Sequence, residues 1–105
     1  MIDAEGTAKQ MFLTYQKNLP LMLQACKTPG QHDQVIDAYV SARDGYYGCI
    51  AKAFNQNDPV LKDLVTQAVT VTASLNKIGD QLADIAKLIG YATQAATIAG
   101  KLAAL

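Results

Sequence analysis

The most constraining feature of this 105-residue sequence is an unbroken heptad pattern of apolar residues in its C-terminal half. Steps of three and four residues connect Leu61, Leu64, Ala68, Val71, Leu75, Ile78, Leu82, Ile85 and Ile89. Such a seam is typical of a helix that packs against other helices over several turns. The seam continues in small residues, Ala92, Ala96, Ala99 and Ala103. The pattern therefore predicts one long helix over about residues 59–104.

Two shorter helices are predicted before it, over about residues 3–27 and 31–55. Turn-forming residues around Pro29 separate the first two helices, and a polar loop that ends at Asp58-Pro59 precedes the third. Asp58 suits an N-cap and Pro59 the first helical position.

Pro20 interrupts the first predicted helix and is expected to kink it or to start a new helix near Asn18. The fold prediction is therefore a single all-α domain. It consists of a helical hairpin with a kinked first helix, followed by one long C-terminal helix. This arrangement resembles a three-helix bundle and implies oligomeric packing.

The lengths of these helices suggest self-association. A continuous helix over 59–104 would be about 70 Å long, whereas each shorter helix would reach only about 36 Å. The uncovered half is not polar, because residues 88–100 include no charged side chain. A continuous helix would therefore bury this half against another copy or another protein. The alternative is a break at Gly79 or Gly90 that folds the chain into a four-helix bundle.

We expect the association surface to lie on the C-terminal helix, and its candidate residues are Leu82, Ile85, Ile89, Tyr91, Ile98 and Leu102. A separate stripe of small residues follows the same helix: Gly79, Ala83, Ala86, Gly90, Thr93, Thr97, Gly100 and Ala104. Small residues at this spacing let another helix approach closely, and glycine otherwise weakens a helix. Gly45 and Gly48 in the second helix predict a further close contact.

The composition points away from several classes of function. Nine basic and nine acidic residues cancel, and nucleic-acid binding needs a basic surface. His32 is the only histidine, and it is expected at a solvated helix start beside Asp33. The acidic pairs Asp33/Asp37 and Asp80/Asp84 have no further oxygen ligands nearby for a metal ion. The prediction is a protein without catalytic residues, cofactor or metal.

Two alternative functions stay open at this point. Tyr39, Tyr46 and Tyr47 could line a small-ligand pocket, because tyrosine offers a flat apolar face and a hydroxyl. A membrane-active protein is the other alternative, although the charge-free stretches 64–76 and 88–100 are each shorter than the roughly 20 residues of a bilayer span. A resident membrane span is therefore not expected.

The N-terminal residues are acidic and polar and do not resemble a signal peptide, which predicts a cytoplasmic protein with Cys26 and Cys49 reduced. The leading prediction is a non-enzymatic interaction module that forms homo-oligomers and binds a further protein. A small adaptor, an inhibitor or an immunity-type factor would fit this description.

Overall fold

The computed structural model describes all 105 residues and is built from helices alone. Its elements are α1 (Ala4–Ala25), α2 (Pro29–Cys49), α3 (Pro59–Leu75), a 3-10 helix (Ile78–Gln81) and α4 (Ile85–Ala104). The predicted all-α class is confirmed. The β-branched stretch 69–72, which alternates as a strand would, lies inside α3 and is helical.

Each α-helix begins at a side chain that accepts a hydrogen bond from a free backbone amide of the first turn. These residues are Asp3, Thr28, Asp58 and Asp84, with donor–acceptor distances of 2.8, 3.1, 2.9 and 3.2 Å. Pro29 and Pro59 follow two of these caps, where a missing N–H costs no hydrogen bond. The predicted start of a helix at Asp58-Pro59 is therefore confirmed.

The predicted continuous helix over 59–104 is wrong, because the chain breaks between Leu75 and Ile85. The break is near Gly79, one of the two positions considered as the alternative. It has a physical reason: folding back lets α4 bury Leu88 and Leu102 completely inside the molecule. That burial offsets the helical hydrogen bonds that are lost at the break. The break also removes the uncovered apolar half from which self-association was inferred.

Two other predicted boundaries also change. α2 ends at Cys49 rather than near residue 55, because Ile50 is extended and Ala51 adopts a left-handed conformation with φ of 61°. α1 continues through Pro20 to Ala25, so no new helix begins near Asn18.

The four helices form a bundle in which two pairs of neighbouring helices run parallel, α2 with α4 and α1 with α3. Gly45 faces Ala99 and Gly48 faces Ala103, so α2 and α4 run in the same direction. The backbone of Ile2 forms two hydrogen bonds with the Gln56 side chain, 2.7 and 3.2 Å long. These bonds place the start of α1 at the end of the bundle where α3 starts. α1 packs on both α2 and α3, and α4 does the same, whereas α2 and α3 lie diagonally apart.

One apolar core joins all four helices. Its largest fully buried side chains include Met11 and Tyr15 of α1, Leu61 and Leu75 of α3, and Leu88 and Leu102 of α4. α2 contributes mainly small residues, such as Ala38 and Ala42, and these allow α4 to approach closely. The molecule measures 43 × 22 × 19 Å.

Candidate functional site

The six residues predicted for self-association do not form one exposed surface. Ile98 and Leu102 are buried in the interior of the bundle and are not exposed to a second copy in this structure. The heptad spacing indicated correctly that they pack against helices, but those helices belong to the same chain. Ile85, Ile89 and Tyr91 are half-buried, and Leu82 is exposed at the turn before α4.

The three tyrosines predicted to line a ligand pocket lie on α2 next to α1. Tyr39 and Tyr46 both pack on Phe12, with ring centroids 5.5 and 5.7 Å apart. Tyr47 contacts Tyr46 and is exposed. None of these three tyrosines lines a cavity. Tyr39 and Tyr46 pack on Phe12 and Tyr47 packs on Tyr46, so the structure shows no cavity at these rings.

Tyr15 lies beside this aromatic group and is fully buried. Its hydroxyl donates a 2.6 Å hydrogen bond to the Val35 carbonyl oxygen of α2. Burial raises the pKa of Tyr15 far above its ordinary value, and the nearby Cys26 adds to the effect. The group therefore stays neutral at physiological pH and joins α1 to α2.

One of the four cavities at the surface is a groove between α3 and α4. It has a volume of about 330 Å³, and its lining residues are Thr66, Gln67, Thr70, Val71, Thr93, Gln94, Thr97 and Ile98. No charged side chain lines it. The hydroxyls of Thr66 and Thr70 donate to backbone oxygens one turn earlier in α3, at 3.0 and 3.1 Å. Their protons are therefore already used within the helix.

Two residues of the small-residue stripe predicted from the sequence, Thr93 and Thr97, line the α4 wall of this groove, and Gly90 and Gly100 flank them along the helix. Thr93, Thr97 and Gly100 are exposed, and Gly90 is half-buried. The α3 wall was not predicted as part of a site. The signal that could have identified it is the charge-free stretch 64–76, which faces the charge-free stretch of α4.

The glycines of the bundle fall into two groups. A β-carbon on Gly45 or Gly48 would approach atoms of α4 to 2.6 or 2.8 Å, so these two glycines are required by the contact between α2 and α4. The prediction of a close contact at both positions is confirmed. A β-carbon on Gly79, Gly90 or Gly100 would meet nothing within 4 Å. The folded chain itself therefore gives no steric reason for glycine at these three positions.

A second cavity, of about 350 Å³, lies where α1 ends and α2 begins. Cys26, His32 and Asp33 line it together. The Cys26 thiol donates to the Met22 carbonyl oxygen at 3.2 Å, and burial raises its pKa. A neutral thiol is a poor nucleophile, and no three His, Cys, Asp or Glu side chains converge anywhere as metal ligands. The cavity thus offers no assembled reactive group.

Comparison with protein-family models, curated proteins and solved structures finds no match for this chain. None of its helices has both the length and the apolar character needed to cross a bilayer.

Proposed function

We propose that this chain is a non-enzymatic helical interaction module that self-associates through the groove between α3 and α4. The observation that carries the proposal is the pair Gly90 and Gly100, which flank the groove residues Thr93 and Thr97 on α4 and have open space where a side chain would be. Gly90 is half-buried and Gly100 is exposed. Each glycine costs a helix about 1 kcal/mol relative to alanine. A close approach by a helix from outside the molecule would explain both.

The groove is suited to a helix rather than to an extended or charged segment. Thr93 and Thr97 lie between the two glycines at helical spacing, so a continuous line of small residues follows this face of α4. Small residues at this spacing let two helix backbones approach closely, as Gly45 and Gly48 do inside the bundle. The lining also offers amide and hydroxyl groups from Gln94 and Thr97.

A second copy of this chain is the occupant that we favour. The lining of the groove is uncharged and the chain has no net charge, so two copies do not repel each other. A two-fold arrangement would place the same stripe of α4 against itself, which is the usual geometry of homodimers. This revises the predicted association residues: Gly90, Thr93, Thr97 and Gly100 replace the buried Ile98 and Leu102. A helix of another protein is the second occupant to test.

The experiment is size-exclusion chromatography with light scattering over a concentration series from micromolar to millimolar. We expect a rapid monomer–dimer equilibrium in the unmodified chain. Thr97→Lys should shift it to monomer, because a lysine in the groove would be buried without a partner on association. Ser41→Lys is the matched control, since Ser41 is exposed on α2, away from the groove.

Two results would count against self-association through the groove. One is a strict monomer at millimolar concentration. The other is that Thr97→Lys and Ser41→Lys weaken dimer formation equally, which would indicate a general effect of added charge. If the chain is monomeric, binding of a designed uncharged helix that Thr97→Lys abolishes would identify the second occupant.

A further inference from the structure

The turn between α3 and α4 differs from the other connections of the bundle. We call residues 76–84 the hinge. Within the hinge the apolar heptad spacing passes through Ile78 and Leu82 without a slip, from Leu75 at the end of α3 to Ile85 at the start of α4. An ordinary turn interrupts such spacing, because its residues no longer lie on one helical face. The hinge sequence thus retains the pattern of a helix.

The backbone of the hinge is also close to helical. Asn76 and Leu82 have right-handed helical angles, with φ/ψ of −67/−17° and −61/−21°. A 3-10 helix occupies the middle, and no residue of the hinge has a positive φ. Lys77 and Asp84 depart from helical values, with φ of −109° at both. Few dihedral angles would have to change to make the hinge a regular helix.

Few contacts hold the hinge in its folded-back form. Ile78 is fully buried, the Tyr91 hydroxyl donates to the Gln81 side chain at 3.2 Å, and Asp84 caps α4. The 3-10 helix has no capping side chain. The closest part of the contact between α2 and α4, at Gly45 and Gly48, lies by contrast near the far end of α4 from the hinge, and the α4 of either chain could form it.

We propose that α4 exchanges between two copies of this chain, with residues 76–84 as the hinge. In the exchanged dimer the hinge extends as helix, and α4 of each copy packs on α2 of the other. The contact of Gly45 with Ala99, and that of Gly48 with Ala103, then form between chains instead of within one. Only an identical copy offers this fit, because the close approach needs glycine at both positions of α2.

Exchange would also bury surface that the monomer leaves exposed. Leu82 is 36% exposed in the hinge, and Ile85 and Ile89 are half-buried next to it. In the extended form the two hinges of the dimer cross near these residues, so these apolar side chains become more buried in both copies. Swapping of an identical element is a low-cost route to a dimer because the existing interface is reused. The exchange does not depend on the groove between α3 and α4.

The test uses the full chain, concentrated to millimolar and refolded at that concentration, then separated by size-exclusion chromatography with light scattering. We expect a dimer that persists for hours after dilution, because α4 must leave one bundle before it can return to its own. Gly79→Ala should raise the dimerisation constant by up to about 30-fold, since both hinges of the dimer gain helix propensity. Gly30→Ala is the matched control, because Gly30 lies in α2 in both forms.

Gly79→Pro should abolish the dimer. Proline cannot occupy the interior of a regular helix, whereas the Gly79 amide donates no backbone hydrogen bond in the folded-back hinge. If Gly79→Pro fails to fold, the comparison of Gly79→Ala with Gly30→Ala still tests the exchange of α4. The proposal is overturned if no slowly dissociating dimer forms, or if Gly79→Ala and Gly30→Ala dimerise equally. A dimer that dissociates within minutes and responds to Thr97→Lys would instead support association through the groove alone.

Discussion

Gly45 of α2 lies so close to Ala99 of α4 that a β-carbon on residue 45 would stand 2.6 Å from the Ala99 carbonyl carbon. This is the tightest approach of any glycine to another helix, and it lies within the most extensive helix–helix contact of the bundle. The position of α4, and with it the α4 wall of the groove, therefore depends on the absence of a side chain at residue 45.

Gly45→Ala should destabilise the protein by about 2 kcal/mol, because α2 and α4 must separate to admit a methyl group. Urea unfolding followed by circular dichroism measures the change. Gly30→Ala is the control: it sits in the exposed first turn of α2 with one contact at 3.9 Å, and it should be neutral or slightly stabilising. Equal stability of the two variants would show that α2 and α4 are not in tight contact.

Ala51→Gly should stabilise the protein by about 1 kcal/mol. Ala51 has φ of 61° directly after α2, and this conformation costs an alanine more than a glycine. Ala53→Gly, in the same loop, serves as the comparison and should be neutral or destabilising, because it only adds freedom to the unfolded chain. Thermal unfolding of both variants checks the prediction, and a lower melting temperature for Ala51→Gly would contradict it.

The stability of the protein should fall above about pH 10 through Tyr15. The pKa of Tyr15 is raised in the folded state, so the folded chain keeps the proton while the unfolded chain loses it above the ordinary value of 10.0. The contribution of Tyr15 is therefore complete below pH 10 and declines as the pH rises further.

Tyr15→Phe tests this prediction by removing the titrating group. At neutral pH it should cost about 1 kcal/mol, from the lost hydrogen bond to Val35. Between pH 10 and 11 its stability should decline less than that of the unmodified chain. Tyr47→Phe, at an exposed tyrosine, should reproduce neither effect. If the free energy of unfolding declined equally with pH in the unmodified chain and in Tyr15→Phe, this hydroxyl would have no role in the pH dependence.

Cys49 should react with a thiol reagent only when the bundle opens. It is fully buried, and burial raises the pKa of its thiol, with a smaller opposing effect of Lys52. Cys26 is only half-buried and should react first, although more slowly than a free thiol because its pKa is also raised. Labelling of Cys26→Ser and Cys49→Ser followed by mass spectrometry separates the two rates. Faster labelling of Cys49 would contradict the packing at the end of α2.

The start of α3 could be predicted from the sequence because it depends on neighbouring residues. Asp58 and Pro59 indicate a helix start without reference to the rest of the chain. The hinge was not predicted in the same way. Residues 76–84 include Asn76, Gly79, Asp80 and Asp84, but they contain no proline and the apolar heptad spacing continues through them. The hinge forms because Leu88 and Leu102 are then buried against helices that are distant in the sequence, and no local sequence pattern predicts that burial.

The candidate site was predicted only in part, for a related reason. Helical spacing identified the stripe with Gly90, Thr93, Thr97 and Gly100, and Thr93 and Thr97 of this stripe line the α4 wall of the groove. The same spacing could not tell whether Ile98 and Leu102 face their own chain or another one, since the packing chemistry is identical. The α3 wall was missed because Thr66 and Thr70 become neighbours of α4 only when the hinge folds back.

The parallel pairing of helices leaves the dipoles of parallel neighbours uncancelled in this molecule of zero net charge. α1 and α3 begin at the end of the bundle where α2 and α4 finish, so the partial positive poles of two helix dipoles adjoin there, beside two negative poles. The acidic caps Asp3 and Asp58 sit at the positive poles, and Lys27 and Lys77 follow the negative poles of α1 and α3 at the far end. A strictly alternating bundle would cancel these fields between neighbours. Here the cancellation is left to side chains, because each of these four full charges opposes and exceeds the roughly half-unit charge of the pole beside it.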